Sequence, residues 1–197
     1  MHTILICFFR CFFCAALRPP HRPDHQYVDD VLVKRKTEAQ GFQVYGRGGV
    51  SLADAWARGP KTLNSYATRG FPNAFWLNGP QGIVTNSATT ALDEVGKQVA
   101  HITAKMKRDG ISVCEPSEQA QHEYCEAVYD SSLAALKFYA ACTPGYYSNE
   151  GNVDVKRKSY AATYPGGTPG GGGILTFLEN LRDMQTTDDT LRGFDYY

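Results

Sequence analysis

The sequence has no surplus of either charge. Twenty Lys and Arg cancel twenty Asp and Glu over 197 residues, so it lacks the one-signed field that nucleic acid or an anionic membrane would recruit. Long apolar runs are missing too. The most apolar stretch, Thr3 to Leu17, is broken by Arg10 and falls short of the roughly 20 residues that a membrane-spanning helix needs. No basic stretch precedes it, which argues against a secretory signal, although Cys14-Ala15-Ala16 has the form of a cleavage site. A phosphate-cradling loop is absent, since no Gly-Lys-Ser/Thr follows the six glycines of Pro165 to Gly173. Gly46-Arg47-Gly48-Gly49-Val50-Ser51 has Ser where the third glycine of a dinucleotide fingerprint belongs. It reads instead as a glycine turn leading into a helical turn, with Trp56 as a packing anchor.

Metal signatures are equally incomplete. Cys7, Cys11 and Cys14 have an iron–sulfur spacing, but inside a Phe-rich run without supporting motifs. His122-Glu123-Tyr124-Cys125-Glu126 has Glu where a zinc helix needs its second His, and reads as a polar helix face. Cys114, Cys125 and Cys142 are scattered and suit reduced thiols of a cytoplasmic protein. The triplets Lys34-Arg35-Lys36 and Lys156-Arg157-Lys158 read as solvated loop faces, with a phosphate contact the alternative for the second.

What is present is a patterned middle. Ala74 to Leu77 is a short apolar run between turn formers, as in a buried strand. Gly79-Pro80 stops it, and Thr85, Asn86 and Ser87 offer caps for a following helix. From Asn86 to Lys107 the residues Ala88, Ala91, Leu92, Val95, Val99, Ile102 and Met106 recur in steps of three and four, marking one helix face. Gly96 interrupts this helix and is expected to mark a close backbone approach; Gly110 ends it. A second helix is predicted from Ser117 to Cys142, with Ala120, Tyr124, Val128, Leu133 and Leu136 inward. A third runs from Ile174 to Met184, with Ile174, Phe177, Leu178 and Leu181 on one face.

Four segments follow one another at short spacing: Gly46-Arg47-Gly48-Gly49-Val50-Ser51-Leu52, Trp56-Ala57-Arg58-Gly59-Pro60-Lys61-Thr62, Gly70-Phe71-Pro72-Asn73 and Gly79-Pro80-Gln81-Gly82. In this order, from about Gly41 to Phe194, the chain resembles the C-terminal part of the flavin-dependent Baeyer–Villiger monooxygenases. The resemblance implies an α/β fragment: the end of a FAD-binding Rossmann-type domain, then mainly helical segments and long Gly/Pro-rich loops. Residues 1–40 form an irregular or disordered head outside the family, and 41–197 the family region.

The same resemblance implies FAD and NADPH as cofactors, a small ketone and O2 as substrates, and no nucleic-acid partner or stable membrane span. Gly79, Pro80, Gln81, Thr85, Asn86 and Ser87 fall on the flavin side, and Tyr146 on a loop that closes over NADP. A helix N-terminus there suits the negative charge of a reduced flavin. The glycine fingerprints for FAD and NADP, the family's His-containing signature and its catalytic arginine have no counterpart in these residues. The implied role is that of an enzyme fragment, inactive alone. A nitrogen- or sulfur-oxidising flavin monooxygenase and a non-catalytic interaction module are the alternatives.

Overall fold

A computed structural model describes residues 5–7, 43–57, 59–77, 79–82, 88–141, 143 and 173–197. Helices dominate them. Ser51 caps the short helix α1 (Leu52–Ala55) by accepting from the Asp54 amide. The long helices are α2 (Ala88–Asp109), α3 (Glu118–Ala141) and α4 (Gly173–Thr186). Strand β1 (Leu5–Cys7) pairs in parallel with β2 (Ala74–Trp76), and β3 (Cys114–Pro116) pairs antiparallel with β4 (Phe194–Tyr196). Among the described residues no helix is long and apolar enough to cross a membrane.

The period-two geometry of β2 divides the core. Phe75 points into the larger cluster, with Val95, Val99, Ile102 and Met106 of α2 and Phe177, Leu178, Leu181 and Met184 of α4. Ala74 and Trp76 face a smaller cluster with Leu52, Trp56 and Phe71. Trp56 meets Trp76 edge-on, with centroids 5.9 Å apart. It is the packing anchor its sequence context implied. Tyr124 and Val128 of α3 are buried in the larger cluster, and Ala120 packs against it.

α2 ends as its sequence predicts. Gly110 turns the chain at φ +70°, and Lys105 and Arg108 are bonded to Asp109 and to Asp188 of the turn after α4. These contacts hold both carboxyls below the usual carboxylate range.

Two expectations need correction. Gly96 marks no close approach, because among the described residues a Cβ there would meet nothing within 4 Å. The mid-helix glycine therefore costs backbone entropy without a packing return. Gly96→Ala is expected to stabilise the chain by about 0.5–1 kcal/mol, read as a raised midpoint in urea; a lowered midpoint would contradict the open surroundings of Gly96. Second, residues 5–7 of the supposedly irregular head form a strand against β2, since the backbone of β2 offers that edge a ladder. Strands β3 and β4 had no sequence signal. Each is three residues long, and their pairing depends on a partner about 80 residues away. The Gly/Pro-rich stretch from Pro144 to Gly172, Cys142 and the basic triplets lie outside the described residues.

Candidate functional site

The loop after β2 is built against the turn that precedes it. Thr62, Ser65 and Gln81 are all buried. The Gln81 side chain folds inward, and its Oε1 accepts from the Thr62 amide at 2.6 Å and from Thr62 Oγ1 at 2.8 Å. Ser65 Oγ donates to the Gly79 carbonyl at 3.0 Å. From α3, the Tyr124 hydroxyl donates to the Gln81 carbonyl at 2.9 Å, and the Cys125 sulfur lies 3.6 Å from Gln81 Oε1. Burial pushes the Tyr124 phenol well above its ordinary range, so it stays a neutral donor.

Two features show how tightly the loop is held. Gln81 has φ +61°, a left-handed conformation that costs a non-glycine residue about 1–3 kcal/mol unless its surroundings impose it. Here three side chains do. Gly79 lies so close to the Ser65 carbonyl that any Cβ would collide with it, so only glycine fits. One group is left over: among the described residues the buried Gln81 Nε2 has no hydrogen-bond partner. Its orientation is fixed, because the carboxamide oxygen must face the Thr62 N–H.

The other segments of the sequence pattern are tied to β3 and to the turn before β2. Asn73 Oδ1 accepts from the Cys114 amide at 2.9 Å, and its Nδ2 donates to the Ser112 carbonyl at 3.0 Å. Trp76 Nε1 donates to Thr68 Oγ1 at 2.9 Å. Glu115 accepts from the Gly70 amide and pairs with Arg47 at 2.9 Å.

Of the predicted site residues, the structure places Gly79, Pro80 and Gln81 in one fixed turn. Thr85, Asn86, Ser87 and Tyr146 lie outside the described residues. Thr62, Ser65 and Tyr124 were not predicted. Tyr124 appeared only as a helix-face residue, and nothing in spacing alone links it to a loop 43 positions earlier. His122 and Glu126 approach to 3.7 Å on an exposed face. Among the described residues no group of three or more His, Cys, Asp or Glu could hold a metal ion. Cys114 is a buried reduced thiol whose pKa burial pushes up to about 12, as an inert packing cysteine should show.

No protein-family model matches the chain. Individual relatives do. Pentalenolactone D synthase of Streptomyces arenae is 34% identical over 158 residues, covering 78% of this chain and 25% of the relative. An FAD-binding monooxygenase of Hypomyces subiculosus is 32% identical over 129 residues, 64% of this chain and 21% of the relative. A Baeyer-Villiger monooxygenase of Streptomyces coelicolor is 38% identical over 125 residues, 63% of this chain and 20% of the relative.

Among solved structures, the polycyclic ketone monooxygenase of Thermothelomyces thermophila superposes with a TM-score of 0.68 at 26% identity, covering 82% of this chain and 25% of that one. Cyclohexanone monooxygenase from Rhodococcus sp. Phi1 bound to NADP+ shares the fold, with a TM-score of 0.61 at 22% identity over 81% of this chain and 27% of that one. The chain thus spans about a fifth to a quarter of the length of the curated relatives it matches. Over about 78% of its own length, this mixed α/β chain is a fragment-length relative of the flavin-dependent Baeyer–Villiger monooxygenases.

Proposed function

We propose that residues 41–197 supply the far side of the flavin site in an FAD- and NADPH-dependent monooxygenase that inserts oxygen beside a ketone carbonyl. The single observation that carries this is the Gly79–Gln81 turn, fixed from three sides by Thr62, Ser65 and Tyr124. A preorganised backbone of this kind suits a planar ligand edge, because its shape is set before the ligand arrives. The orphaned donor at Gln81 Nε2 also fits a ligand rich in acceptors, as a flavin ring edge is.

In this reading Gly79 and Pro80 give the turn its close approach, and Gln81 acts through its backbone and by locking Thr62. Thr85, Asn86 and Ser87 offer amides to the flavin carbonyl edge, and Tyr146 belongs to the loop over NADP. Bound flavin would supply the activation of O2. The chain's own part is to fix the ring and to keep its surroundings shaped. Residues 1–40 stay outside the family region. A cytoplasmic setting is supported by the reduced thiols of Cys114 and Cys125, and the balanced charge supports a small-molecule substrate rather than nucleic acid. The names of the relatives favour ketone oxidation over oxidation of nitrogen or sulfur.

The 197 residues alone are expected to bind FAD weakly. The pyrophosphate of such a cofactor sits on a glycine-rich helix N-terminus, and no such fingerprint occurs in the sequence. Four hydrogen bonds from the loop, each net about 0.5–1.5 kcal/mol, correspond to about tens of micromolar at best. Titration followed by flavin fluorescence, with NADPH oxidation recorded in parallel, tests this. Sub-micromolar binding, or turnover by these residues alone, would mean that the site is built differently.

A further inference from the structure

A second group of buried polar residues gathers around Gln98. Gln98 of α2 is fully buried, and its Nε2 donates to the Thr190 carbonyl at 3.2 Å and to the Tyr66 hydroxyl at 3.4 Å. The Thr190 carbonyl can only accept, so the amide nitrogen must face it and Oε1 must point elsewhere. Two atoms here have no partner among the described residues: Gln98 Oε1 and Thr190 Oγ1. Their residues are 0% and 1% exposed. One is an acceptor and the other a hydroxyl, both cut off from bulk solvent, and such pairs are rarely left unsatisfied in a folded protein.

We propose that one internal water molecule binds between these two atoms, donating to Gln98 Oε1 and accepting from Thr190 Oγ1. The ligand must be small, neutral, and both donor and acceptor, because Gln98, Thr190, Tyr66 and Asn64 carry no charge to hold an ion. The Tyr66 hydroxyl, 3.4 Å from Gln98 Nε2, adds a neutral polar neighbour, and a buried water usually makes about three bonds. Asn64 Nδ2 lies 3.4 Å from the Tyr66 hydroxyl, and burial pushes that phenol's pKa up to about 12, so it keeps its proton. The site joins α2, the turn before β4 and the turn carrying Ser65, which holds Gly79.

A crystal structure of the full chain, at a resolution that shows ordered water, tests this directly. The expected result is a single peak within hydrogen-bond reach of both atoms. Absence of a peak, or a direct bond from the Thr190 hydroxyl to Gln98 Oε1, would overturn it. Thr190→Val gives an independent reading from the urea midpoint. With water bound, the valine variant loses a bond that Thr190→Ser keeps, so its midpoint falls below that of the serine variant. If the hydroxyl has no partner, the near-isosteric valine raises the midpoint above wild type, which refutes the site.

Discussion

Trp76→Ala is expected to remove about 3–5 kcal/mol of stability, against a total of about 5–15 kcal/mol for a typical folded domain. Trp76 is fully buried. Its ring meets Trp56 edge-on, and Phe71 at a centroid distance of 6.3 Å and 65°, contacts that add to simple area burial. Its Nε1 donates to Thr68 Oγ1, and its amide donates to the Tyr66 carbonyl at 2.8 Å. Truncation therefore empties the centre of the smaller cluster and leaves a buried threonine hydroxyl without its donor. Urea unfolding followed by far-UV circular dichroism measures the loss. A cost under about 1 kcal/mol is what a surface substitution gives, and would mean that Trp76 is not the centre of this cluster.

Gly79→Ala is the second large effect, and it acts on the site itself. A Cβ at position 79 would collide with the Ser65 carbonyl oxygen and approach Trp76 Cβ at 3.2 Å. A backbone oxygen cannot step aside as a flexible side chain would. The turn must shift, at a cost of about 1–3 kcal/mol for an overpacked position. The shift pulls Gln81 away from Thr62, whose amide is held at 2.6 Å by the Gln81 side chain. Hydrogen exchange at the Thr62 amide should accelerate about tenfold or more, since 1.4 kcal/mol of local opening free energy corresponds to a factor of ten. Unchanged protection at Thr62 would show that the turn tolerates a side chain, and that its fixed shape is not imposed by Ser65.

The helices were legible because their burial is one-sided and local. The steps from Val95 to Val99, Ile102 and Met106 can be counted in the sequence, and all four are buried in the structure. The Ala74–Leu77 run was equally readable, because all its residues are buried and an uninterrupted apolar run announces that. Gly110 was read correctly as a helix stop, while Gly96 was misread as a contact: sequence shows that a side chain is missing, but not whether anything fills the space. β3 contains Glu115 and Pro116, neither of them strand formers, and exists because Cys114 to Pro116 meet the backbone of Phe194 to Tyr196.

The candidate site was legible only in outline. The order of its glycines and prolines located the turn and named the family, yet the inward fold of Gln81 and the hold from Tyr124 depend on a contact across 43 residues. The partners of Gly79 were equally hidden. Ser65 lies 14 residues earlier in a stretch that drew no attention on composition or periodicity.

The most direct measurement joins this chain to the N-terminal portion of a close relative and records the flavin absorption of the purified protein, for wild type and Gly79→Ala side by side. If the Gly79–Gln81 turn forms the far wall of the flavin site, the wild-type hybrid is yellow and retains FAD in equimolar amount. The Gly79→Ala hybrid, equally folded by circular dichroism, loses most of it. A wild-type hybrid that folds but stays colourless, or a Gly79→Ala hybrid that holds FAD as tightly as wild type, would contradict the assignment of this turn to the flavin.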